Sequence, residues 1–294
     1  MNWWKRLNID LRRNVRLSGY TTFGIGGKAD YFARPSGVAA LAALLAECRR
    51  QRLPLRVIGA GSNLLVSDKG VRGVVVSLSA PAFSRIRRKG YTLDVGAGVR
   101  LSRLVGYCCR QGIGGTEFLS GIPGTLGGAL WMNAGAHDAS IGDLVETVAI
   151  MHYNGAVQIL NRGEISFSYR WSSLRDSIIL GARLKCRRAG VSAATAAVRA
   201  YLLDRRSKQD IAARSAGCVF KNPAPERAAG YLIDQCGGKL LRCGGAAVSS
   251  KHANFIVADG AATAADVRRL MRLIQAKVKK RFGLKLEPEI ELWQ

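Results

Sequence analysis

A glycine loop between two strand-like segments constrains the fold more than any other feature. Residues 56–68 read RVIGAGSNLLVSD, so an apolar strand enters Gly-Ala-Gly-Ser-Asn and a second strand-like run follows. A Rossmann turn needs GxGxxG between a strand and a helix, because the pyrophosphate meets the helix amino terminus. Here Leu64 takes the third glycine position and residues 64–67 favour a strand, which argues against that fold. The loop can still hold a diphosphate on its backbone N–H groups, and a tight structural turn is the alternative.

Two further glycine-rich stretches accompany this loop. Residues 21–31 read TTFGIGGKADY, and residues 118–137 read FLSGIPGTLGGALWMNAGAH. Both mix small residues with hydroxyls, which suits a backbone that lies close to an extended ligand. Glycine-dense turns in a β-rich domain are the alternative.

Apolar periodicity predicts a mixed α and β chain. Residues 55–58 and several short apolar runs predict strands, and residues 145–160 predict a hairpin with Asn154-Gly155 as a two-residue turn. The predicted helices span about 38–50, 193–208, 227–236 and 264–281. A change of composition near the stretch SAGCVFKNP places the main boundary between about 188 and 206.

The bulk properties limit the protein class. A chain of 294 residues suits two or three compact domains. Its apolar runs break within about a dozen residues, short of the roughly 20 that a bilayer span needs. The amino terminus lacks the apolar core of a signal peptide, so we expect a cytoplasmic protein without a membrane segment. Seven cysteines without CxxC spacing argue against a disulfide framework or a zinc site, and we expect no metal.

The formal net charge of +25 leaves a nucleic-acid interpretation open. Such an excess can bind nucleic acid, attract a small polyanionic substrate or follow from a general bias toward arginine. The basic residues are scattered, and the aromatic residues form no RNA-recognition pattern, so we expect no specific nucleic-acid partner. Any DNA binding is expected to be salt-sensitive and independent of sequence.

Eight motifs in a fixed order carry a family resemblance. They are YTTFGIGGKAD, VIGAGSNLLVSD, FLSGIPGTLGGALWMNAGA, FSYRWS, SAGCVFKNP, AGYLIDQCG, GGAAVSSKHANFIV and LEPEIE. From about residue 17 to residue 289 the chain resembles the UDP-N-acetylenolpyruvoylglucosamine reductases (MurB), which are flavoenzymes of cytoplasmic peptidoglycan precursor synthesis. The first three motifs belong to a broader fold of flavin oxidases, whereas the last five single out the reductases.

The resemblance implies an α+β fold. A two-lobed FAD-binding domain of the PCMH/vanillyl-alcohol-oxidase type would span residues 18–190, with lobes at about 18–80 and 81–190. An amino-terminal extension, 1–17, would precede it, and an α+β substrate-binding domain, 191–294, would follow. FAD is expected to be non-covalent, since residues 57–68 contain no histidine. The implied cofactor-binding residues are Gly59, Ala60, Gly61, Ser62, Asn63, Leu64, Gly121, Ile122, Pro123, Gly124, Thr125, Gly128, Asn133 and Gly135.

The family reaction reduces UDP-N-acetylglucosamine enolpyruvate to UDP-N-acetylmuramate. NADPH reduces FAD, the flavin gives hydride to the substrate methylene carbon, and an acid protonates the carbon beside the carboxylate. Arg170 and Glu289 match the residues that polarise this carboxylate. Cys218 stands where the family usually has a serine proton donor, and a thiol with a pKa near 8.5 is mostly protonated at neutral pH. The alternatives are that Arg170 and Glu289 are ordinary surface residues and that Cys218 is a buried cysteine that only packs.

The implied substrate contacts involve the UDP moiety. The matching residues are Lys208, Lys221, Asn222, His252 and Asn254. After Lys208 this chain has Gln209 and Asp210, where the family often has proline. Some members have a substrate-binding arginine at the position of Glu291, and many have a tyrosine at the position of His137. The short interval between Arg170 and Cys218 resembles the branch that lacks a Tyr-bearing substrate loop, so closure would come from movement of the carboxy-terminal domain. A monomer is expected, and a different flavin oxidase of the same fold is the second enzyme hypothesis.

Overall fold

The computed structural model describes residues 4, 7, 9–224 and 226–294. These residues form two compact units. The first comprises the described part of 1–13 together with 30–60 and 72–204, and the second comprises 14–29, 61–71 and 205–294. Segments 14–29 and 61–71 therefore belong to the same unit as the carboxy-terminal residues. The predicted domains instead placed segment 61–71 and most of segment 14–29 in the FAD-binding domain. The predicted boundaries at 18, 191 and within 18–190 remain predictions, and the predicted extension, 1–17, lies partly outside the described residues.

The elements alternate between short strands and a few helices. The helices are α1 (Val38–Arg50), α2 (Leu101–Arg110), α3 (Leu126–Met132), α4 (Val191–Lys208), α5 (Ala229–Gln235) and α6 (Ala264–Phe282). The strands are β1 (Ile9–Arg16), β2 (Lys28–Pro35), β3 (Leu55–Ile58), β4 (Leu64–Val66), β5 (Val71–Ser77), β6 (Ile86–Lys89), β7 (Thr92–Gly96), β8 (Ile113–Gly114), β9 (Gly135–Ala136), β10 (Ala139–Ser140), β11 (Val145–Met151), β12 (Val157–Asn161), β13 (Phe167–Ser168), β14 (Trp171–Ser172), β15 (Ile178–Lys185), β16 (Arg187–Arg188), β17 (Arg242–Cys243), β18 (Ala246–Val248), β19 (Ile256–Ala258) and β20 (Glu291–Trp293).

Most sequence-based elements are confirmed, including the strand–loop–strand arrangement of β3 and β4. The predicted β11–β12 hairpin is confirmed, but the prediction of a two-residue turn is wrong. Met151 pairs with Val157, which leaves residues 152–156 in the loop. The backbone N–H of His152 donates to the carbonyl of Ala156, and Asn154 Oδ1 accepts from the Ala156 N–H, so a longer loop satisfies the polar groups. Helices α2 and α3 were not predicted.

Two sheets form the frame of the first unit. One has the strand order β1-β2-β5-β3, with β3 parallel to β5, and the ends of β1, β2 and β5 belong to the second unit. The other is antiparallel, in the order β12-β11-β15-β7-β6. Leu41 and Leu44 of α1 and Leu104 of α2 are fully buried in one apolar core with the strands. These helices bury one apolar stripe each, as amphipathic spacing predicts.

Helix α6 organises the core of the second unit. Thr263 caps it by accepting a hydrogen bond from the Asp266 N–H, and Gly283 ends it at a φ of 69°. Val267, Leu270 and Ile274 are buried, whereas the arginines and lysines of this helix are exposed. The basic residues of α6 therefore form a solvated face. None of the described helices combines the length and the apolarity that a membrane crossing requires.

Candidate cofactor and active site

The loop after β3 meets the third glycine-rich stretch within the first unit. A Cβ added to Gly59 would lie 2.8 Å from Thr125 Oγ1. The stretch around Thr125 is fixed to the end of the antiparallel sheet, because the Leu126 N–H donates to the Val99 carbonyl (2.8 Å) and the Gly127 N–H to the Ala97 carbonyl (2.9 Å). Two stretches of predicted cofactor-binding residues thus form one surface on which glycine keeps the backbone accessible.

Ser120 adds a polar group to this region that the sequence analysis missed. Its side chain is 4% exposed, and its Oγ has no hydrogen-bond partner among the described residues. An unsatisfied buried hydroxyl costs about 1–3 kcal/mol, so a ligand atom or water is expected to pair with it. Its place directly before Gly121 in a glycine and hydroxyl-rich stretch was the available sequence signal. The close approach of Thr125 to Gly59 and the buried hydroxyl of Ser120, which has no partner among the described residues, together fit a bound FAD.

Gly61 and residues 20–22 lie in contact within the second unit. Its φ is 63°, its carbonyl accepts from the Thr22 N–H (3.1 Å), and an added Cβ would lie 2.0 Å from the Tyr20 carbonyl oxygen. Only glycine fits this backbone and this approach. The start of the stretch 21–31 therefore lies against Gly61.

Gly61→Ala is expected to lower the free energy of unfolding by about 3 kcal/mol or more, because left-handed strain and a backbone clash add. Gly283→Ala is the matched control, since Gly283 has a φ of 69° and nothing within 4 Å of an added Cβ. Its expected cost is about 1 kcal/mol, from backbone strain alone. Chemical denaturation of both variants measures the difference, and equal losses would contradict the close approach to Tyr20.

Cys218 and Glu289 lie on neighbouring backbone segments of the second unit. The Glu289 N–H donates to the Val219 carbonyl at 2.7 Å, and the Val219 N–H donates to the Asn254 carbonyl at 2.8 Å. Both Cys218 and Glu289 are partly buried. Asn63 Nδ2 also donates to the Glu289 carbonyl (2.9 Å), which connects the glycine loop to this pair. The fold therefore brings two of the three predicted catalytic residues close together.

Asn254 supports this arrangement through its side-chain amide. The residue is 2% exposed, its Oδ1 accepts from the Phe220 N–H (3.0 Å), and its Nδ2 donates to the Phe220 carbonyl (2.8 Å). The amide thus holds the segment that carries Cys218. Asn222 Oδ1 similarly accepts from the Ala229 N–H (3.0 Å) at the start of α5. Substrate contact by either residue remains a prediction.

The two predicted lysines lie in different settings of the second unit. Lys221 Nζ is 3.5 Å from Glu287 Oε2, on the segment that follows Phe220. Lys208 ends α4 and is exposed. Among the described residues, no group of three His, Cys, Asp or Glu side chains could hold a metal ion.

Arg170 belongs to the first unit, at the tip of the β13–β14 hairpin. Ser168 pairs with Trp171, so Tyr169 and Arg170 form the turn. The φ of Arg170 is 57°, a conformation that costs a non-glycine residue about 1–2 kcal/mol. Its guanidinium lies 4.9 Å from the centroid of the Tyr169 ring. Backbone strain of this kind is concentrated at functional sites, which motivates a functional hypothesis for Arg170.

Asn133 links this hairpin to helix α3. It ends α3 with a φ of 48° and is 8% exposed. Its Oδ1 accepts from the Gly142 N–H (3.1 Å), and its Nδ2 donates to the Ser168 carbonyl (3.0 Å). Gly135 lies just beyond, in β9, where a Cβ would come within 2.4 Å of the Ala139 carbonyl oxygen. Both predicted cofactor residues thus have structural roles, and their contact with FAD remains a prediction.

His252 combines burial with an unsatisfied ring nitrogen. Burial lowers the pKa of His252 from its ordinary value of 6.5, so the ring is neutral at pH 7. Its Nδ1 is buried and has no hydrogen-bond partner among the residues that the structure describes. The ring packs edge-on against Phe255, with centroids 4.7 Å apart. His252 is therefore suited to a hydrogen bond with a ligand and not to charge compensation of a diphosphate.

The lowered pKa of His252 gives stability a defined pH dependence. The folded protein binds fewer protons than the unfolded chain below pH 6.5, so this contribution to stability is complete above pH 6.5 and is lost as the pH falls through the depressed pKa. His252→Asn is expected to reduce the difference in melting temperature between pH 7.5 and pH 5. His152→Asn is the control, because that ring contacts Gln158 Oε1 at the surface (2.8 Å). An unchanged pH dependence in His252→Asn would contradict this assignment.

Comparisons with known proteins show which family this chain resembles. A family model described as "UDP-N-acetylenolpyruvoylglucosamine reductase, C-terminal domain" matches residues 209–293, and one described as "FAD binding domain" matches residues 29–161. UDP-N-acetylenolpyruvoylglucosamine reductase 2 of Symbiobacterium thermophilum is 42% identical over 96% of this chain and 92% of its own. The reductase of Moorella thermoacetica is 43% identical over 98% of this chain and 94% of its own.

A solved structure shows the same fold. The crystal structure of UDP-N-acetylenolpyruvylglucosamine reductase (MurB) from Thermus caldophilus superposes with a TM-score of 0.85 at 38% sequence identity. The match covers 97% of this chain and all of that chain, 100%. The predicted fold class, α+β with an FAD-binding domain, is confirmed.

Proposed function

The chain belongs to the UDP-N-acetylenolpyruvoylglucosamine reductase family, and on that premise we propose how its own residues perform the family reaction. It is an FAD-containing oxidoreductase of peptidoglycan precursor synthesis that reduces UDP-N-acetylglucosamine enolpyruvate to UDP-N-acetylmuramate. The observation that supports the residue assignment most directly is the backbone hydrogen bond from Glu289 to Val219, which places Glu289 beside the Cys218 segment. NADPH as hydride donor, a cytoplasmic location and a monomeric state are part of the proposal.

The proposed cofactor site combines backbone from two glycine-rich stretches, 56–68 and 118–137. Gly59 and Thr125 lie in contact, so their stretches can approach a diphosphate from the same surface. Ser120 supplies a buried hydroxyl for a polar cofactor atom. When bound, FAD supplies the hydride chemistry that joins NADPH to the substrate. The remaining proposed contacts are Ala60, Gly61, Ser62, Asn63, Leu64, Gly121, Ile122, Pro123, Gly124, Gly128, Asn133 and Gly135.

Arg170 and Glu289 are proposed to bind the substrate carboxylate. Negative charge builds on that group when the neighbouring double bond receives hydride, and a guanidinium stabilises it by charge-assisted hydrogen bonds. Glu289 contributes as a hydrogen-bond donor only in its protonated form, because an ionised carboxylate accepts hydrogen bonds and cannot donate them. The left-handed backbone of Arg170 is consistent with a side chain held in one orientation for this purpose.

Cys218 is proposed to complete the reduction as the proton donor. Its S–H bond breaks as a proton passes to the carbon beside the carboxylate, and the thiolate that remains recovers a proton from solvent. The amide of Asn254 fixes the backbone on which the thiol sits. Lys208, Lys221, Asn222 and His252 are proposed to contact the UDP moiety, with His252 as a neutral hydrogen-bond partner.

Anaerobic titration of the purified protein tests this function. We expect NADPH to bleach a visible flavin spectrum and UDP-N-acetylglucosamine enolpyruvate to restore it in a stoichiometric step. Flavin that is bleached by NADPH but restored only by oxygen would favour the alternative, a sugar or lactone oxidase of the same fold. A protein that binds DNA and purifies without flavin would contradict both enzyme hypotheses.

A further inference from the structure

We propose that Arg175 is a positioning residue for Arg170, because its guanidinium braces the turn from which Arg170 reaches the substrate. This inference rests on the proposed role of Arg170 in binding the substrate carboxylate. The hairpin formed by residues 167–172 carries Arg170 at its tip, and Arg175 follows three residues after the hairpin ends. All groups in the argument lie within the first unit.

The Arg175 guanidinium contacts an aromatic ring through its flat face and a backbone carbonyl through its edge. Its Cζ lies 3.9 Å from the centroid of the Trp131 ring, and its Nη2 donates to the Arg170 carbonyl at 3.1 Å. A planar guanidinium can stack on an aromatic ring through its face and donate hydrogen bonds from its edge at the same time. A lysine ammonium cannot reproduce both contacts. Arg175 therefore joins the backbone of Arg170 to a fixed aromatic ring on α3.

The conformation of Arg170 explains why such a brace matters. A φ of 57° is unfavourable for arginine, so an unsupported turn would relax toward commoner conformations and redirect the side chain. Fixing the Arg170 carbonyl fixes the following peptide plane. Ser172 Oγ donates to the Trp131 carbonyl (3.0 Å), and Asn133 Nδ2 donates to the Ser168 carbonyl (3.0 Å). The strands of the hairpin and its tip are thus all held by the last turn of α3.

Helix α3 gives this bracing a consequence for the reaction. The helix begins beside Thr125, the residue in contact with Gly59, and its seven residues span about 10 Å at 1.5 Å per residue. The proposed cofactor surface and the Arg170 hairpin are therefore held by opposite ends of one short rigid element. Displacement of a reacting group by about 1 Å can slow a reaction about 100-fold, so the brace controls rate through placement.

A double-mutant cycle tests the brace in the holoenzyme. Arg175→Met is expected to slow substrate-dependent flavin reoxidation at least about 10-fold and to leave reduction by NADPH within about twofold of wild type. In the Arg170→Ala background the same change is expected to have no further effect on reoxidation, because Arg175 acts through Arg170. Arg175→Lys is expected to restore only part of the rate. Equal slowing by Arg175→Met in both backgrounds would overturn the inference.

Arg162→Met is the matched control. Arg162 also lies over an aromatic ring, 4.9 Å from the centroid of Phe167 at the start of the hairpin, but it donates to the carbonyls of Gly142 and Ile165, which lie outside the turn that carries Arg170. It is expected to leave the reoxidation rate within about twofold of wild type while lowering thermal stability about as much as Arg175→Met. A rate loss in Arg162→Met equal to that in Arg175→Met would overturn the specific role of Arg175.

Amide hydrogen exchange tests, independently of activity, whether Arg175 holds the turn that carries Arg170. Arg175→Met is expected to increase exchange at residues 169–172 at least about 10-fold, without a comparable increase at residues 145–151. Unchanged exchange at 169–172 would overturn the inference even if the rate fell. Failure of the proposed function has a different signature, since wild-type flavin would then not be reoxidised by the enolpyruvyl substrate while the exchange result still decides whether Arg175 holds the turn.

Discussion

Arg170→Gly is expected to yield a folded, flavin-containing protein that NADPH reduces normally but that the enolpyruvyl substrate reoxidises about 100- to 1000-fold more slowly. Loss of one charge-stabilising donor at a developing anion has an effect of this size. Stopped-flow absorbance of the two half-reactions, recorded separately, measures it. The loss is confined to the second half-reaction because the substrate carboxylate takes part only there.

Arg170→Ala separates the chemistry of Arg170 from its backbone strain. Alanine also lacks the guanidinium, so its rate should equal that of Arg170→Gly. Glycine tolerates the observed φ of 57° without strain, so Arg170→Gly is expected to be about 1 kcal/mol more stable than Arg170→Ala. A mainly structural role would instead make both half-reactions decline together with stability, which would contradict the catalytic assignment.

Cys218→Ala is expected to slow reoxidation by the substrate about 100- to 10,000-fold and to leave flavin reduction by NADPH intact. A positioned general acid contributes an effect in this range. Removing a single sulfur from a partly buried position on a backbone held by Asn254 is not expected to disturb the fold. Rapid mixing of the reduced protein with substrate measures the rate of flavin recovery.

Cys218→Ser is the matched control for this prediction. The hydroxyl occupies a similar place and retains a proton to donate, and serine is the residue that the family usually has, so most of the rate should return. Equal losses in the two half-reactions of Cys218→Ala, or a serine variant as slow as the alanine variant, would show that residue 218 only packs.

Local sequence patterns were sufficient to predict an element when a single kind of interaction, such as burial of one apolar face, determines its structure. Helix α1 was predicted at its observed limits because its apolar residues recur at helical spacing and face a single core. The β11–β12 hairpin was predicted, but its turn was not, because Asn154 bonds its side chain to Ala156 and enlarges the loop. Helix α2 was not predicted, although its buried residues Leu101, Leu104 and Cys108 recur at helical spacing.

In the candidate site, too, the sequence predicted residue types but not their hydrogen-bond partners. Family motifs predicted Arg170, Cys218 and Glu289 as catalytic residues, but they could not reveal that the amides of Asn133 and Asn254 are bonded to backbone groups. One motif contains Ser120, but it could not show that the buried hydroxyl of Ser120 lacks a hydrogen-bond partner among the described residues. A motif records which residue types recur together, whereas hydrogen-bond partners depend on segments that are distant along the chain.

The sequence by itself determined the family of this protein and predicted its chemical groups, namely glycine-rich backbone for a flavin nucleotide and an arginine, a thiol and a carboxyl group proposed to act in the reduction of an enolpyruvyl ether. Only the tertiary structure decided how those groups are held. Glu289 reaches the Cys218 segment across 71 positions of sequence, and Arg175 connects the carbonyl of Arg170 to a tryptophan ring on α3. Chemical groups are properties of single residues, but their orientation is set by packing and hydrogen bonds that exist only after distant segments have come together.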